Sequence, residues 1–242
     1  MILRRVIAHF RKQEWTAIAL DFVIVVAGVF VGLQVDNWNQ ERIDFRREGF
    51  YLEALQDDFT TIIQELEHDI GVYETVANSM TMLIEQSRKS EPDLPLDELN
   101  KAAKLLIKME GTPIASDTYA NLTGSGDLAI IRSEALKNRM ASFFGWLKVI
   151  ELVANTHEMQ LVDIFQPYVI ENLDYTTMFR ADRGLPFSAS TQPDRILEVL
   201  HTAKLRNVAA VKWDTVTDIR ILLINALEEA RAVQSLLGEE LD

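Results

Sequence analysis

Residues 17 to 35 read AIALDFVIVVAGVFVGLQV, and Asp21 is the single charged side chain in this stretch. A helix of this length covers about 28 Å, close to the hydrocarbon thickness of a bilayer. Trp15 and Trp38 flank the apolar run, where aromatic side chains favour the membrane interface. The sequence therefore predicts one transmembrane helix over residues 15–38.

A buried core helix and a cleaved signal peptide are the two alternatives to a membrane span. A signal peptide needs small residues at a cleavage site soon after the run, and Gln34-Val35-Asp36-Asn37-Trp38 offers none. A core helix needs neither flanking tryptophans nor a basic segment before it. Both features favour a membrane span.

Basic residues set the expected orientation of the span. The preceding segment, 1–14, contains Arg4, Arg5, Arg11 and Lys12, and it predicts a basic amphipathic helix on an anionic membrane surface. The other side has Arg42, Arg46 and Arg47. Four basic residues therefore precede the span and three follow it. Because basic residues are retained on the cytoplasmic side, this excess predicts a cytoplasmic N-terminus. These four N-terminal basic residues, with Trp15 and Trp38, are the predicted membrane-interface residues.

Gly28 and Gly32 form a GxxxG motif inside the span. Small residues at this spacing let two helix backbones approach closely, so the motif predicts self-association. Asp21 lies on the same stripe, within roughly 20° of each glycine at 100° per residue. An acid in a span favours a functional role such as proton transfer. The alternative is that Asp21 reaches the headgroups or pairs with Arg11 or Lys12.

The rest of the chain is acidic and lacks cysteine. The net charge is −13, and residues 1–43 contribute +1 of it, which leaves −14 for the body. An acidic body repels phosphates, so we expect no nucleic-acid partner. With no Cys, disulfides, thiolate metal sites and a Cys nucleophile are excluded.

The body, residues 39–242, predicts an all-α fold arranged as an antiparallel helical bundle. Glycine and proline are few, at 10 and 6, and apolar residues recur at helical spacing without sustained strand-like alternation. Predicted helices cover 44–88, 97–109, a short segment ending at Gly124-Ser-Gly126, 133–172, a segment beginning at Asp194, and 211–237. Trp146, Trp213 and the methionines are predicted to be core residues.

Candidate sites in the body are weak. Glu65 and His68, and Glu198 and His201, have the spacing of di-iron ligands, but the first pair points away from the apolar face and predicts a solvated pair. We therefore expect no metal, no cofactor and no catalytic residue. The loop 173–193 is the best place for a ligand or partner, with a plain surface loop as the alternative. Its candidate residues are Tyr175, Phe179, Arg180, Arg183 and Phe187.

Two segments resemble a family of uncharacterised bacterial single-span membrane proteins. The first is the span followed by Gln34-Val35-Asp36-Asn37-Trp38-Asn39-Gln40-Glu41-Arg42; the second runs from Tyr119 through Leu122, Gly126 and Leu128 to Ile131, before the aromatic pair Phe143 and Phe144. The chain departs from the family pattern at Leu20-Asp21 and at Asp36. The resemblance implies a membrane anchor and a helical body, and it implies no reaction.

The leading hypothesis is a non-enzymatic, single-pass scaffold or interaction protein of the inner membrane. It would self-associate through its span and present a periplasmic helical domain to a protein partner or to another copy. One alternative is a periplasmic small-molecule sensor that acts through a membrane partner. Another is a proton-coupled, stator-like subunit that uses Asp21.

Overall fold

The structure, a computed structural model, describes residues 15–109, 111, 114–178 and 195–241. The regular secondary structure of these residues is helical with no strand, which confirms the all-α prediction. The α-helices are α1 (Trp15–Gln86), α2 (Leu96–Lys104), α3 (Asp117–Ser125), α4 (Glu134–Gln160), α5 (Gln166–Asn172), α6 (Arg195–Val199) and α7 (Ala203–Leu241). Short 3₁₀ turns cover Leu105–Ile107, Asp127–Ile130 and Tyr175–Met178, and a π-turn covers Leu161–Phe165.

The chain divides into two compact units, Met1–Tyr51 and Leu52–Asp242. In the first unit, the apolar part of α1 is exposed, and Phe22, Phe30 and Leu33 each keep more than half of their surface accessible. The most apolar window has a mean hydropathy of 1.4 and no buried residue. Within the described residues, α1 is the one helix long and apolar enough to cross a membrane, judged by length and composition.

In the second unit, residues 52–86 of α1 pack beside α4, and the two helices run in the same direction. Phe59 contacts Phe143, with ring centroids 5.2 Å apart, and further along both helices Tyr73 faces His157 at 6.3 Å. Because sequence number increases along both helices from the first contact to the second, α1 and α4 are parallel.

The last helix, α7, runs antiparallel to both neighbours. Gln234 donates a hydrogen bond to Thr60 of α1, whereas Arg220, earlier on α7, pairs with Glu74 further along α1. Apolar side chains fill the seam between the three long helices. The fully enclosed ones include Leu55, Phe59, Leu66, Met80, Met140, Phe143, Val216, Ala230 and Val233.

An aromatic cluster ties α3 to this seam. The Tyr119 ring stacks on Phe144 with centroids 4.0 Å apart and planes 8° apart, and Phe144 in turn meets Phe143 and Phe59. Leu122, on the same short helix, is fully buried. The segment from Tyr119 to Leu122 therefore has a packing role in this fold.

Both ends of α3 are closed by local interactions. The Ser116 hydroxyl accepts a hydrogen bond from the Tyr119 amide and donates one to Asp58 of α1, which also accepts from the Thr118 amide. At the other end, Gly126 adopts φ +80°, the left-handed conformation that favours glycine. The predicted helix end at Gly124-Ser-Gly126 is confirmed.

Several predicted boundaries are wrong. The second predicted helix begins at Leu96, one residue before the predicted start at 97, and Pro95 is its N-cap residue. The final helix begins at Ala203, eight residues before the predicted Val211, and it continues through Gly238. Trp213 is 41% exposed and Met159 is 60% exposed, so the assignment of these two residues to the core is also wrong. Asp194 lies outside the described residues.

Replacing Gly126 with alanine should destabilise the protein by about 1 kcal/mol, because a Cβ strains the left-handed conformation. Gly145 provides a matched control, since it lies inside α4 with open space where a Cβ would stand. Gly145→Ala should stabilise the helix by roughly 0.5–1 kcal/mol. Urea unfolding of the full chain in detergent measures both changes, and a neutral Gly126→Ala result contradicts the assigned helix closure.

Candidate functional site

A lysine side chain lies fully buried in the seam between α4 and α7. Lys212 has no exposed surface, and its Nζ donates a hydrogen bond to the Lys108 carbonyl at 2.7 Å and lies 2.6 Å from His157 Nε2. Nζ also lies 4.8 Å from the centroid of the Phe165 ring. An ammonium has three N–H groups, and this pocket offers a carbonyl, a ring nitrogen and an aromatic face.

Burial and mutual charge set the protonation of this pair. Desolvation lowers the pKa of Lys212 to about 7. Desolvation, and then the charge of Lys212, lower the pKa of His157 to about 4. His157 is therefore neutral near pH 7, because a second cation within 2.6 Å of the ammonium is strongly unfavourable.

The π-turn brings Phe165 onto the same side of the helix as His157. At 100° per residue, eight positions leave two side chains roughly 80° apart. One extra residue in a π-turn rotates the following segment by roughly 100°, which reduces that offset to about 20°. Leu161–Phe165 thus places the aromatic ring under the ammonium, and Phe165 is fully buried.

The two ring nitrogens of His157 differ in their hydrogen bonding. Its Nε2 faces Lys212, whereas Nδ1 is buried and has no hydrogen-bond partner among the described residues. The ring edges meet Tyr73 and Phe165 at centroid distances of 6.3 and 6.2 Å. The pair can hold or exchange a proton internally, but a solute cannot reach the amine in this arrangement.

A cavity of about 520 Å³ lies in the same unit, and Tyr73 is one of its lining residues. Its described lining residues come from α1, α4, α7 and the segment after the first 3₁₀ turn: Asp69, Tyr73, Met109, Gly111, Ile114, Leu147, Ile150, Glu151, Ala154, Asn155, Ile219 and Leu223. Asp69 and Tyr73 are 2% and 3% exposed and form the floor, whereas Glu151 and Asn155 are exposed at the rim. The cavity thus has the size of a small-ligand site.

The predicted span residues lie on α1 in the first unit. Gly28 and Gly32 have no atom within 4 Å of where a Cβ would stand, and Trp38 is 65% exposed. Trp15 begins the helix, and Asp21 has helical backbone, but their side chains lie outside the described part. The basic residues Arg4, Arg5, Arg11 and Lys12 lie outside the described residues.

The predicted ligand loop is described only at its start. Tyr175 begins a 3₁₀ turn and is half-buried. Phe179, Arg180, Arg183 and Phe187 lie outside the described residues. The structure therefore leaves this site as a prediction.

The two Glu-x-x-His pairs do not form a metal site within the described residues. His68 and His201 are both exposed, and the His201 ring lies 3.2 Å from the Ser87 carbonyl oxygen. No cluster of three or more metal-ligating side chains occurs in the part of the chain that the structure describes.

Sequence reasoning missed both the Lys212–His157 pair and the cavity. The signal for Lys212 was its spacing: it lies four residues after Val208 and four before Val216, in the middle of an apolar stripe. Starting the last helix at Val211 placed this lysine in a solvated first turn.

No family model, curated protein or solved structure matches the chain.

The buried lysine predicts a specific pH dependence of stability. Because its folded pKa of about 7 lies below the ordinary value of 10.5, unfolding takes up a proton between these pH values. Stability should therefore rise as pH increases from about 7 toward 10, by at most about 1.4 kcal/mol per pH unit. Lys212→Met should remove this rise.

Lys148→Met, at an exposed position of α4, is the matched control and should keep the rise. Chemical unfolding of both variants and of the native chain at a series of pH values between 7 and 10 measures the difference. A slope that persists unchanged in Lys212→Met contradicts the assignment of the titration to this amine.

Proposed function

We propose that this chain is a non-enzymatic, single-pass membrane protein that self-associates and presents a helical domain for interaction. Residues 15–38 form the anchor and residues 39–242 the domain, which we propose is a helical bundle. The N-terminus lies in the cytoplasm of a bacterial cell and the domain lies in the periplasm, at the inner membrane. A protein partner or a second copy of the chain binds the domain.

One observation carries the proposal. The apolar window of α1 has no buried residue, although the second unit encloses a large apolar core. Contiguous apolar surfaces of this extent are rare on soluble monomers and are typical of surfaces that contact lipid or protein. A buried core helix does not leave such a window exposed.

Self-association is supported by the glycine stripe. The positions where Gly28 and Gly32 would carry side chains are open, so a second helix can approach their backbone closely. Lipid-facing helices gain little from apolar contact with each other, so close backbone packing decides which face associates.

A second candidate function is a small-molecule sensor that acts through a separate membrane partner. The cavity between α1, α4 and α7 supports this candidate, because its size and largely apolar wall are those of a ligand site. No reaction is assigned to this candidate, since the buried amine of Lys212 has no exposed surface.

The anchor predicts that the intact chain stays with membranes after an alkaline carbonate wash and is released by detergent. Val25→Lys/Val29→Lys should release it, because each lysine at a span centre costs about 2.5–3.5 kcal/mol. Val149→Lys/Leu152→Lys, at exposed apolar positions of α4, is the control and should remain membrane-bound. Release of the unmodified chain by carbonate contradicts the anchor.

The glycine stripe predicts that Gly28→Leu/Gly32→Leu lowers the oligomer mass in detergent. Side chains there separate the two backbones and weaken association. Val26→Leu/Phe30→Leu keeps the same spacing on the opposite face and should leave the mass unchanged. Native mass spectrometry or light scattering compares the variants, and an unchanged oligomer in the glycine variant rejects this face.

A further inference from the structure

One exposed face of α4 is apolar and uncharged. Leu152 and Met159 on this face keep 69% and 60% of their surface accessible, and Val149 keeps 43%. The face runs for about 26 Å along the helix. None of its residues is acidic or basic: Ser142, Gly145, Trp146, Val149, Leu152, Val153, Thr156 and Met159. An extended apolar face on a folded domain is typical of a contact with another molecule.

The exposed residues of this face have the spacing of a coiled-coil seam. Intervals of three and four residues alternate between them, and all are exposed; we call this set the α4 seam: Ser142, Gly145, Val149, Leu152, Thr156 and Met159. A stripe with this spacing can face a neighbouring helix along its whole length. The core uses the other side of α4, where Phe143 and His157 are fully buried. Within the described part of the chain, no helix therefore covers the α4 seam.

Charge distinguishes the α4 seam from the exposed faces of the other two long helices in this unit. The exposed face of α1 there carries Glu53 and Asp57, and that of α7 carries Asp214 and Asp218. In a two-fold pair the same patch of both copies meets, so a face that bears acids repels itself. Of these three faces, the α4 seam is the one that can meet its own copy without bringing like charges together.

We infer that the α4 seam binds the α4 seam of a second copy of the chain. Val149 and Leu152 form the apolar centre of the contact, and Gly145 lets the two backbones approach closely near one end. Uncharged side chains meet uncharged side chains in either relative direction of the two helices. The inference rests on the proposed self-association, and it adds a contact in the helical domain to the contact between the spans.

The size of the seam fits a contact that supports another one. A helix face of about 26 by 10 Å is much smaller than the roughly 800 Å² that each partner buries in a stable interface. Two separate domains would therefore pair only weakly through the seam. Association of the spans holds two copies together and raises the effective concentration of their domains, so that a small contact then forms.

A membrane surface fits the seam less well than a second copy does. A helix that lies on an anionic bilayer has basic residues beside its apolar face. Beside the seam, Glu151 and Glu158 are exposed acids, against one exposed lysine, Lys148. This balance repels anionic headgroups.

Cysteine cross-linking tests the contact directly, because the chain has no Cys of its own. When membranes that contain the full-length Leu152→Cys variant are oxidised, a disulfide-linked product of twice the chain mass should form. Glu158→Cys is the control, since it is exposed on the same helix and roughly 120° away from Leu152. It should give at least about fivefold less product, because it lies off the seam.

Charge placed on the seam gives an independent measurement. Val149→Glu/Leu152→Glu should raise the concentration at which the full chain dissociates in a nonionic detergent by at least about tenfold, because carboxylates of the two copies then face each other. Gln64→Glu/Asn78→Glu adds the same charge at exposed positions of α1 and should change that concentration by less than about twofold. Circular dichroism checks that both variants keep the native helix content.

The outcomes separate this contact from the association of the spans. If the full chain is an oligomer but Leu152→Cys gives no more product than Glu158→Cys, the α4 contact is overturned and the span association stands. A native chain that is monomeric in membranes and in detergent overturns both. A Leu152→Cys product that combines the chain with a different protein overturns the second copy as the occupant of the seam.

Discussion

The helical body depends on the burial of one amine, because a cation is tolerated in an apolar seam only when its N–H groups all find acceptors. Lys212 joins three segments that are distant in sequence: the Lys108 carbonyl after the first 3₁₀ turn, His157 on α4 and the Phe165 ring beyond the π-turn. A shift of α7 by one residue would move the amine away from all three acceptors. The interaction therefore adds a polar constraint on the register of α7 against α4 to the constraint from apolar packing.

The same interaction shapes the cavity. Lys108 is followed directly by Met109, and Met109 and Gly111 form part of the cavity wall. The hydrogen bond from Lys212 holds this connecting segment against α7, so the position of the wall depends on a contact behind it. Tyr73 is common to the two features, since it lines the cavity and faces the His157 ring.

Much of the fold was predictable because helix signals are local. The apolar run and the glycine at 126 act on their own neighbours, and they predicted the apolar helix and the helix stop correctly. The site was not predictable in the same way. Placing Lys212 beside His157 requires the contact between α4 and α7, and the alignment of Phe165 requires a π-turn that a regular 100° periodicity does not reveal. Trp213 shows the converse error, since apolar spacing alone placed it in the core while the structure leaves it 41% exposed.

The unsatisfied nitrogen of His157 has a consequence for proton movement. With Lys212 charged, the imidazole carries its hydrogen on Nδ1, which forms no hydrogen bond within the part of the chain that the structure describes. When Lys212 is neutral, the imidazole can switch tautomer, so that Nε2 donates to the amine lone pair. This switch breaks no hydrogen bond at Nδ1, and the amine keeps an N–H for the Lys108 carbonyl. The seam thus accommodates both charge states of the lysine with the same heavy-atom positions.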